Sequence, residues 1–467
     1  MHTRFQNPGK EETLAWLHAN DLHRAVHLLE TTLPTLSQDP GFHDVIVCTR
    51  STEDAMGYGL AVIFADKRLW ISNPNWKTES WRQVAGQVQP DLVLGEECPL
   101  TPSHQRKLDH GPEGPEIMIP TGGSTGSIRF ARHNLDTLSA AMEGAHQFFF
   151  VMDAHDARHI PFSFYCLLPL WHTSGWMQFI RAWLGGGRWI SRSPSAWDPE
   201  EDRSTLATHP YQVSFVPTLL QRLLRTPEGR SLLPLFSRIY LGGAACTMET
   251  LREASACGAN MWATYGMTET AGMIAGFKVD QNWNERSGAA VFPHAEISIH
   301  PTNEGSPNHR HPGHKRSGEI LLKARSLCLG YGLEALKLDH DNWFPTRDEG
   351  FFSEDGRLRV IGRLDRIIIS GGEKIDPDEV RRILLEDPRV ADAWIGSIPD
   401  PEWGRKAVAL WVPRSSSGEI DQAAICADLR LRIEAFKLPK QWKCLEAIPR
   451  DEKGKLPQSL LESLLTS

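Results

Sequence analysis

The sequence predicts an α/β fold: a large N-terminal domain of layered β-sheets and helices, followed by a small C-terminal α+β domain. Three observations carry that expectation. From residue 116 to about 300, short apolar strands alternate with amphipathic helical stretches, the pattern of layered and largely parallel sheets. Glu319 to Leu322, Phe351-Phe352 and Leu358 to Ile361 then read as antiparallel strands. The last ~105 residues repeat a β-α-β pattern of their own, enough chain to form a separate unit. The boundary is placed at Gly362, giving domains 1–361 and 362–467.

Taken in order, the first 115 residues mix helix-like pieces, Leu14 to Leu33, ending before Pro34, with strand-like runs at Asp44 to Val47 and Leu60 to Phe64. Glu116 to Ile119, Phe164 to Leu168, Gln212 to Val216 and Arg238 to Leu241 read as buried strands. Asn303 to Lys315, rich in Pro, His, Gly and Asn, reads as an exposed loop. In the terminal unit, Arg366 to Ser370 and Ala391 to Gly396 read as strands, and Asp376 to Glu386 and Ile420 to Phe436 as helices.

Composition narrows the function. The chain of 467 residues is 40% hydrophobic and 23% charged, ordinary for a globular protein. A net charge of −8 argues against a nucleic-acid partner, whose phosphates need a basic face. Eight cysteines without a Cys-x-x-Cys pair fit neither a zinc site nor a secreted disulfide frame. No apolar leader opens the chain and no run reaches the ~20 apolar residues that span a bilayer. A cytoplasmic location follows as the expectation, with homo-oligomers left open.

Four polar clusters hold the candidate chemistry. Thr121-Gly122-Gly123-Ser124-Thr125-Gly126 leaves the strand at Glu116 to Ile119. Its glycines let backbone N–H groups approach an anion, its hydroxyls add donors, and Arg129 adds a cation. It lacks the Lys-Ser/Thr pair of a P-loop, and a plain surface turn has the same composition. Thr264 to Thr270 follows a strand-like Asn260 to Ala263, placing Tyr265, Thr268 and Glu269 at a strand's carboxyl end, where α/β proteins bind ligands. Tyr265 offers a face to a purine, and Glu269 is a hard carboxylate suited to Mg²⁺; a helix start capped by Thr268 would look alike. Asp348 in Thr346-Arg347-Asp348 offers a carboxylate to paired ribose hydroxyls, or marks a solvated turn. Pro449 to Pro457 carries Lys453 and Lys455 on a glycine-containing loop, able to offset charge in phosphoryl chemistry or simply solvated.

Taken together with Gly362-Arg363-Leu364-Asp365 and Ser370-Gly371-Gly372-Glu373, these clusters resemble the adenylate-forming acyl-CoA synthetase superfamily. The resemblance covers about residues 116 to 460, with six motifs in the superfamily's order. It implies the adenylate-forming enzyme fold, with a mobile C-terminal domain. It implies ATP, Mg²⁺, a carboxylic acid and CoA as ligands, all small molecules. Ser124, Thr125, Gly126 and Arg129, with Thr121 and Thr268, would hold phosphates, and Glu269 would bind Mg²⁺. Tyr265, Gly266 and Met267 would flank adenine, with Gly242, Gly243 and Ala244 on its other side. Asp348 and Arg363 would hold the ribose. Lys455 would act in adenylate formation and Asp365 would be the hinge. Ser370, Gly371 and Gly372 would line the path of the CoA arm.

The chain departs from the superfamily at four places. Arg129 stands for a usual Lys, Ile128 for Pro, Arg347 for Gly, and Gln458 for a basic residue. Arg keeps the charge but forks differently from Lys.

The acid is addressed by Leu168 to Trp176, which matches the superfamily's acyl-pocket segment. His172 would gate that pocket and Ser174 would line it; a core histidine with a satisfied ring is the other reading of His172. Arg181, nine residues on, lies in an apolar run, where a charge is paired or functional. A fatty-acid tunnel would exclude it, whereas a substrate with a second carboxylate would use it, and an internal salt bridge would explain it as well. Within the superfamily the segment is most similar to the branch that activates o-succinylbenzoate on the way to naphthoquinones. Ligases for other acids and carrier-protein loaders share the same chemistry, and an idle nucleotide-binding protein would share the fold.

Overall fold

The computed structural model describes residues 7–76, 78–96, 98–103, 113–122, 128–152, 162–193, 199–243, 246, 248–280, 283, 288–301, 317–364, 368–370, 373–400, 403–414, 422–433, 435–450, 456 and 464–465. The expected mixed α/β architecture is what forms, with sheets of seven, seven and four strands before residue 364.

The first sheet runs Leu92–Gly95, Asp44–Cys48, Arg68–Ser72, Glu116–Gly122, Ile128–Asn134, Gly330–Tyr331 and Glu334–Ala335. The second runs Trp189–Ser191, Phe164–Cys166, Gln212–Phe215, Arg238–Leu241, Met261–Met267, Gly272–Val279 and Ala290–Val291. Each is parallel at its centre and turns antiparallel toward one edge, at Ile128–Asn134 in the first and Gly272–Val279 in the second.

Helices Thr52–Phe64, Leu135–Met152 and Thr173–Leu184 lie within one apolar cluster that also draws Val45, Leu69 and Ile117 from the first sheet and Phe164, Tyr240 and Trp262 from the second. Burying both sides is why these helices are apolar nearly all round. The third sheet, Ala295–His300, Gly318–Ala324, Phe344–Phe352 and Leu358–Arg363, is antiparallel throughout. Beyond it, a separate cluster built from Ile368, Ile375, Val380, Leu384, Ala409, Trp411 and Ile425 is the core of the C-terminal region.

Four local expectations are corrected. Leu60 to Phe64 is the end of a helix, Thr52–Phe64, not a strand. Ser51 caps it by accepting from Asp54 N at 3.1 Å, and its apolar run is helical because it is buried on two sides. The helix-like pieces expected to stop before Pro34 are Lys10–Ala19 and His23–Gln38, separated by Asp21 at φ +57°, and the second runs on past Pro34. Pro34 sits inside the second without ending it, on a helix turn where Pro34 and Glu30 are both exposed. The expected helix Ile420 to Phe436 is Gln422–Arg430 followed by a 3₁₀ turn, Ala435–Lys437, with 415–421 outside the described residues. The strand expected to end at Ala263 continues to Met267, because it pairs antiparallel with Gly272–Val279.

Candidate active site

The strand Met261–Met267 organises the site. It ends in a 3₁₀ turn, Thr268–Thr270, and the chain reverses through Ala271 at φ +52°. The Thr270 hydroxyl closes this reversal by donating to Gly272 O at 2.7 Å and accepting from Met267 N at 3.1 Å. Gly266 is required here, since a Cβ would lie 1.9 Å from the Gly272 carbonyl oxygen.

Tyr265 reaches the third sheet, where its hydroxyl donates to Asp348 Oδ2 at 2.6 Å. Burial and the adjacent Asp348 carboxylate keep that phenol protonated far above its ordinary range. Arg363 Nη1 lies 3.3 Å from Asp348 Oδ1, and the two residues face each other across paired strands. Asp348 is 7% exposed, and its N–H donates to Thr346 Oγ1 at 3.0 Å. Arg347 takes φ +63°, the left-handed region that favours glycine, so the residue type at this position stores backbone strain beside Asp348. Gly242, at the end of the neighbouring strand Arg238–Leu241, has no room for a side chain: a Cβ would meet Thr264 Oγ1 at 2.8 Å. Gly243 follows at φ +83°. Tyr265, Asp348, Arg363, Gly242 and Gly243 are thus brought to one region.

Thr268 and Glu269 extend that region toward the first sheet. His133 Nε2 donates to the Thr268 carbonyl at 2.8 Å and its Nδ1 lies 3.0 Å from Thr137 Oγ1. Complete burial pushes this ring down to about 4, so it is neutral and purely structural. Glu269 is 8% exposed and accepts from the Tyr331 hydroxyl at 2.8 Å. The Arg129 guanidinium sits 4.0 Å from the centre of the Tyr331 ring. Thr121 and Arg129 are opposite each other on the hairpin Glu116–Gly122 and Ile128–Asn134, which carries the glycine-rich tip. Ser124, Thr125 and Gly126, between these strands in sequence, fall outside the described residues, as do Ala244, Asp365, Gly371, Gly372 and Lys455. Ser370 is described; it is buried and its hydroxyl has no partner among the described residues.

The acid segment meets the turn directly. Thr173 opens the helix Thr173–Leu184, and its hydroxyl donates to Thr268 Oγ1 at 2.8 Å. His172 is half-buried just before that helix, and Ser174 is exposed in its first turn. Two turns further along, Arg181 is 3% exposed. Its Nε and Nη2 make no hydrogen bond, and no carboxylate pairs with it among the described residues. The salt bridge allowed by the sequence does not form there. Burial lowers its proton affinity to about 10, leaving it charged at neutral pH. Nη2 points at the start of Gly272–Val279, where a Cβ on Gly272 would lie 3.6 Å away.

Sequence reasoning missed Tyr331, His133 and Thr173. Tyr331 had one signal, an aromatic between two glycines in Leu329-Gly330-Tyr331-Gly332. His133 and Thr173 had none, because their roles arise from contacts 135 and 95 residues away.

Comparison with known proteins is consistent with this geometry. A family model described as AMP-binding enzyme matches residues 47–332, and one described as AMP-binding enzyme C-terminal domain matches residues 379–455. The 2-succinylbenzoate–CoA ligase of Bacillus licheniformis is 30% identical over 84% of this chain and 78% of its own length. That of Salmonella typhimurium is 30% identical over 70% of this chain, which spans 63% of that relative. Among solved structures, ATP-bound MatB from Rhodopseudomonas palustris superimposes with a TM-score of 0.75 at 19% identity, covering 95% of this chain and 92% of that one. The o-succinylbenzoate CoA synthetase of Bacillus subtilis with its acyl-adenylate gives 0.72 at 20% identity, covering 94% and 92%. At these identities the structural matches speak for the fold.

Proposed function

The chain belongs to the AMP-binding enzymes, the adenylate-forming acid–thiol ligases, and from that premise we propose that it joins 2-succinylbenzoate to CoA through an acyl-adenylate. Such a reaction, releasing pyrophosphate and then AMP, would supply naphthoquinone biosynthesis. The observation that carries the choice of acid is Arg181: a buried guanidinium without a carboxylate among the described residues, on the helix whose first residue bonds to Thr268. A buried, unpaired cation is costly, and a second carboxylate on the substrate supplies the missing partner.

The first step brings a carboxylate against the α-phosphate of ATP, anion against anion, so donors and cations must offset the repulsion. In this reading Thr268, Ser124, Thr125, Gly126 and the Arg129 guanidinium hold the phosphates. Thr121 orients the hairpin that carries them. Glu269, steadied by Tyr331, is the carboxylate suited to Mg²⁺, which supplies charge neutralisation when bound. Among the described residues no group of three His, Cys, Asp or Glu side chains comes together, so Glu269 would be the side chain by which this chain holds the ion.

Tyr265, with Gly266 and Met267 beside it, offers one wall to adenine, and Gly242, Gly243 and Ala244 offer the other. Asp348, already oriented by Tyr265 and Arg363, accepts the ribose hydroxyls. Lys455 neutralises charge during adenylation. The C-terminal domain then turns at Asp365 and presents Ser370, Gly371 and Gly372 to the CoA arm. His172 and Ser174, at the mouth of the Arg181 helix, border the acid.

An acid panel with ATP, Mg²⁺ and free CoA tests the reading. Thioester formation should be fastest with 2-succinylbenzoate, and a wild type that thioesterifies fatty or simple aryl acids instead would refute it. Acyl transfer only to a carrier protein would refute the acceptor.

A further inference from the structure

His294 is a further buried polar group near Arg181 that finds no hydrogen-bond partner among the described residues. It lies in the turn between Ala290–Val291 and Ala295–His300, is 7% exposed, and neither ring nitrogen has a partner among the described residues. His133, also buried, has both nitrogens bonded, so His294 is not simply a core histidine of that kind.

Strand pairing brings its turn alongside the strand that Arg181 faces. Ala275 pairs with Val291 and Gly276 with Ala290, and Phe292 N donates to Ile274 O at 2.8 Å. His294 follows Phe292 by two residues in the turn, and Gly272, where a Cβ would lie 3.6 Å from Arg181 Nη2, precedes Ile274 by two, so both buried groups lie at the same end of this strand pair. Helix Leu135–Met152 leaves a place for the ring: a Cβ on Gly144 would lie 1.8 Å from His294 Nδ1, so only glycine fits. Burial, and after it the charges of Arg181 and Arg325, lowers the proton affinity of the imidazole to about 4, so the ring is neutral and carries one N–H. Arg325 is itself engaged with Glu143 at 3.3 Å.

We infer that His294 and Arg181 form a two-point receptor for the carboxylate of the acid that is not activated, with His294 a specificity-determining residue. Two buried donors without partners among the described residues, one cationic and one neutral, match the two oxygens of one carboxylate. The inference rests on the proposed function only in requiring that the acid carry a second carboxylate.

The test compares 2-succinylbenzoate with 4-oxo-4-phenylbutanoate, the same acid lacking the ring carboxylate, in wild type, His294→Ala and His294→Gln. Removing one donor to a buried carboxylate should raise KM for the dicarboxylic acid by roughly ten- to hundredfold. KM for the monocarboxylic acid and for ATP should stay put, and the amide of His294→Gln should restore part of the loss. An equal rise for both acids, or none for either, overturns the inference while leaving the proposed function standing. Should wild type ignore 2-succinylbenzoate but use another aryl dicarboxylic acid that His294→Ala penalises against its monocarboxylic analogue, the function falls and the inference stands. Preference of wild type for the monocarboxylic acid overturns both. If His294→Ala does not fold, His294→Phe, ring-shaped and without an N–H, carries the same comparison.

Discussion

Replacing Arg181 by Met should make the free protein more stable and the enzyme worse. Met roughly keeps the length and volume of the side chain and removes only the charge and its donors. Burial holds the guanidinium near pKa 10, below its ordinary value, and the described residues give it no ion pair. Because each tenfold change in proton affinity is about 1.4 kcal/mol, keeping the cation there costs the free fold on the order of 3 kcal/mol. The sign is fixed: a cation whose folded proton affinity is depressed destabilises the native state at every pH below about 10, so the cost is fully present at neutral pH. Arg181→Met should therefore raise the urea midpoint at pH 7.5, with the gain unchanged between pH 6 and 9. With substrate the effect reverses. Removing one partner of a buried ion pair costs roughly 3–5 kcal/mol, or about 150- to 5000-fold in kcat/KM for a dicarboxylic acid. KM for ATP should barely move. A variant that is destabilised and keeps its KM for the acid would show that Arg181 is structural and refute the reasoning.

Three further predictions follow from other parts of the site. Tyr331→Phe keeps the ring under Arg129 but removes the bond to Glu269; the Mg²⁺ concentration for half-maximal rate should rise by about tenfold, with KM for the acid unchanged, and an unshifted Mg²⁺ titration would count against the role of Glu269. Asp376 caps the helix Pro377–Leu385, and burial beside Asp378 lifts its carboxyl to about 6. A raised acid binds its proton more tightly when folded, so stability falls as pH rises from about 4 to 6; Asp376→Asn, which can still cap, should stabilise by roughly 1–3 kcal/mol above pH 7 and not at all at pH 4, as read by unfolding midpoints. Lys455→Ala should abolish adenylate formation yet leave thioester formation from supplied acyl-AMP nearly intact, and equal loss of both half-reactions would contradict the domain-turning model.

Much of the architecture was legible because strands and helices alternate visibly from residue 116 onward. The misread segments have one physical cause each. Leu60 to Phe64 looks like a strand because a helix buried between two sheets loses its polar face, and short apolar runs carry no period. Pro34 looks like a stop, but an exposed helix turn tolerates the missing N–H. Tyr265, Asp348 and Arg363 were legible as candidates because each sits in a dense polar motif, and the fold brings them within bonding distance. Arg181 was legible as an anomaly, a charge in an apolar run. Tyr331 and His294 were not: each is a single side chain whose meaning depends on a strand register or on a glycine in another element.

The account rests on a nucleotide and an organic acid being coupled by these residues, and acid-dependent exchange of labelled pyrophosphate into ATP, without CoA, measures that coupling directly. Exchange should require Mg²⁺ and be strongest with 2-succinylbenzoate. Binding of ATP with no exchange for any acid tried would mean that the converged residues hold a nucleotide without activating a carboxylate.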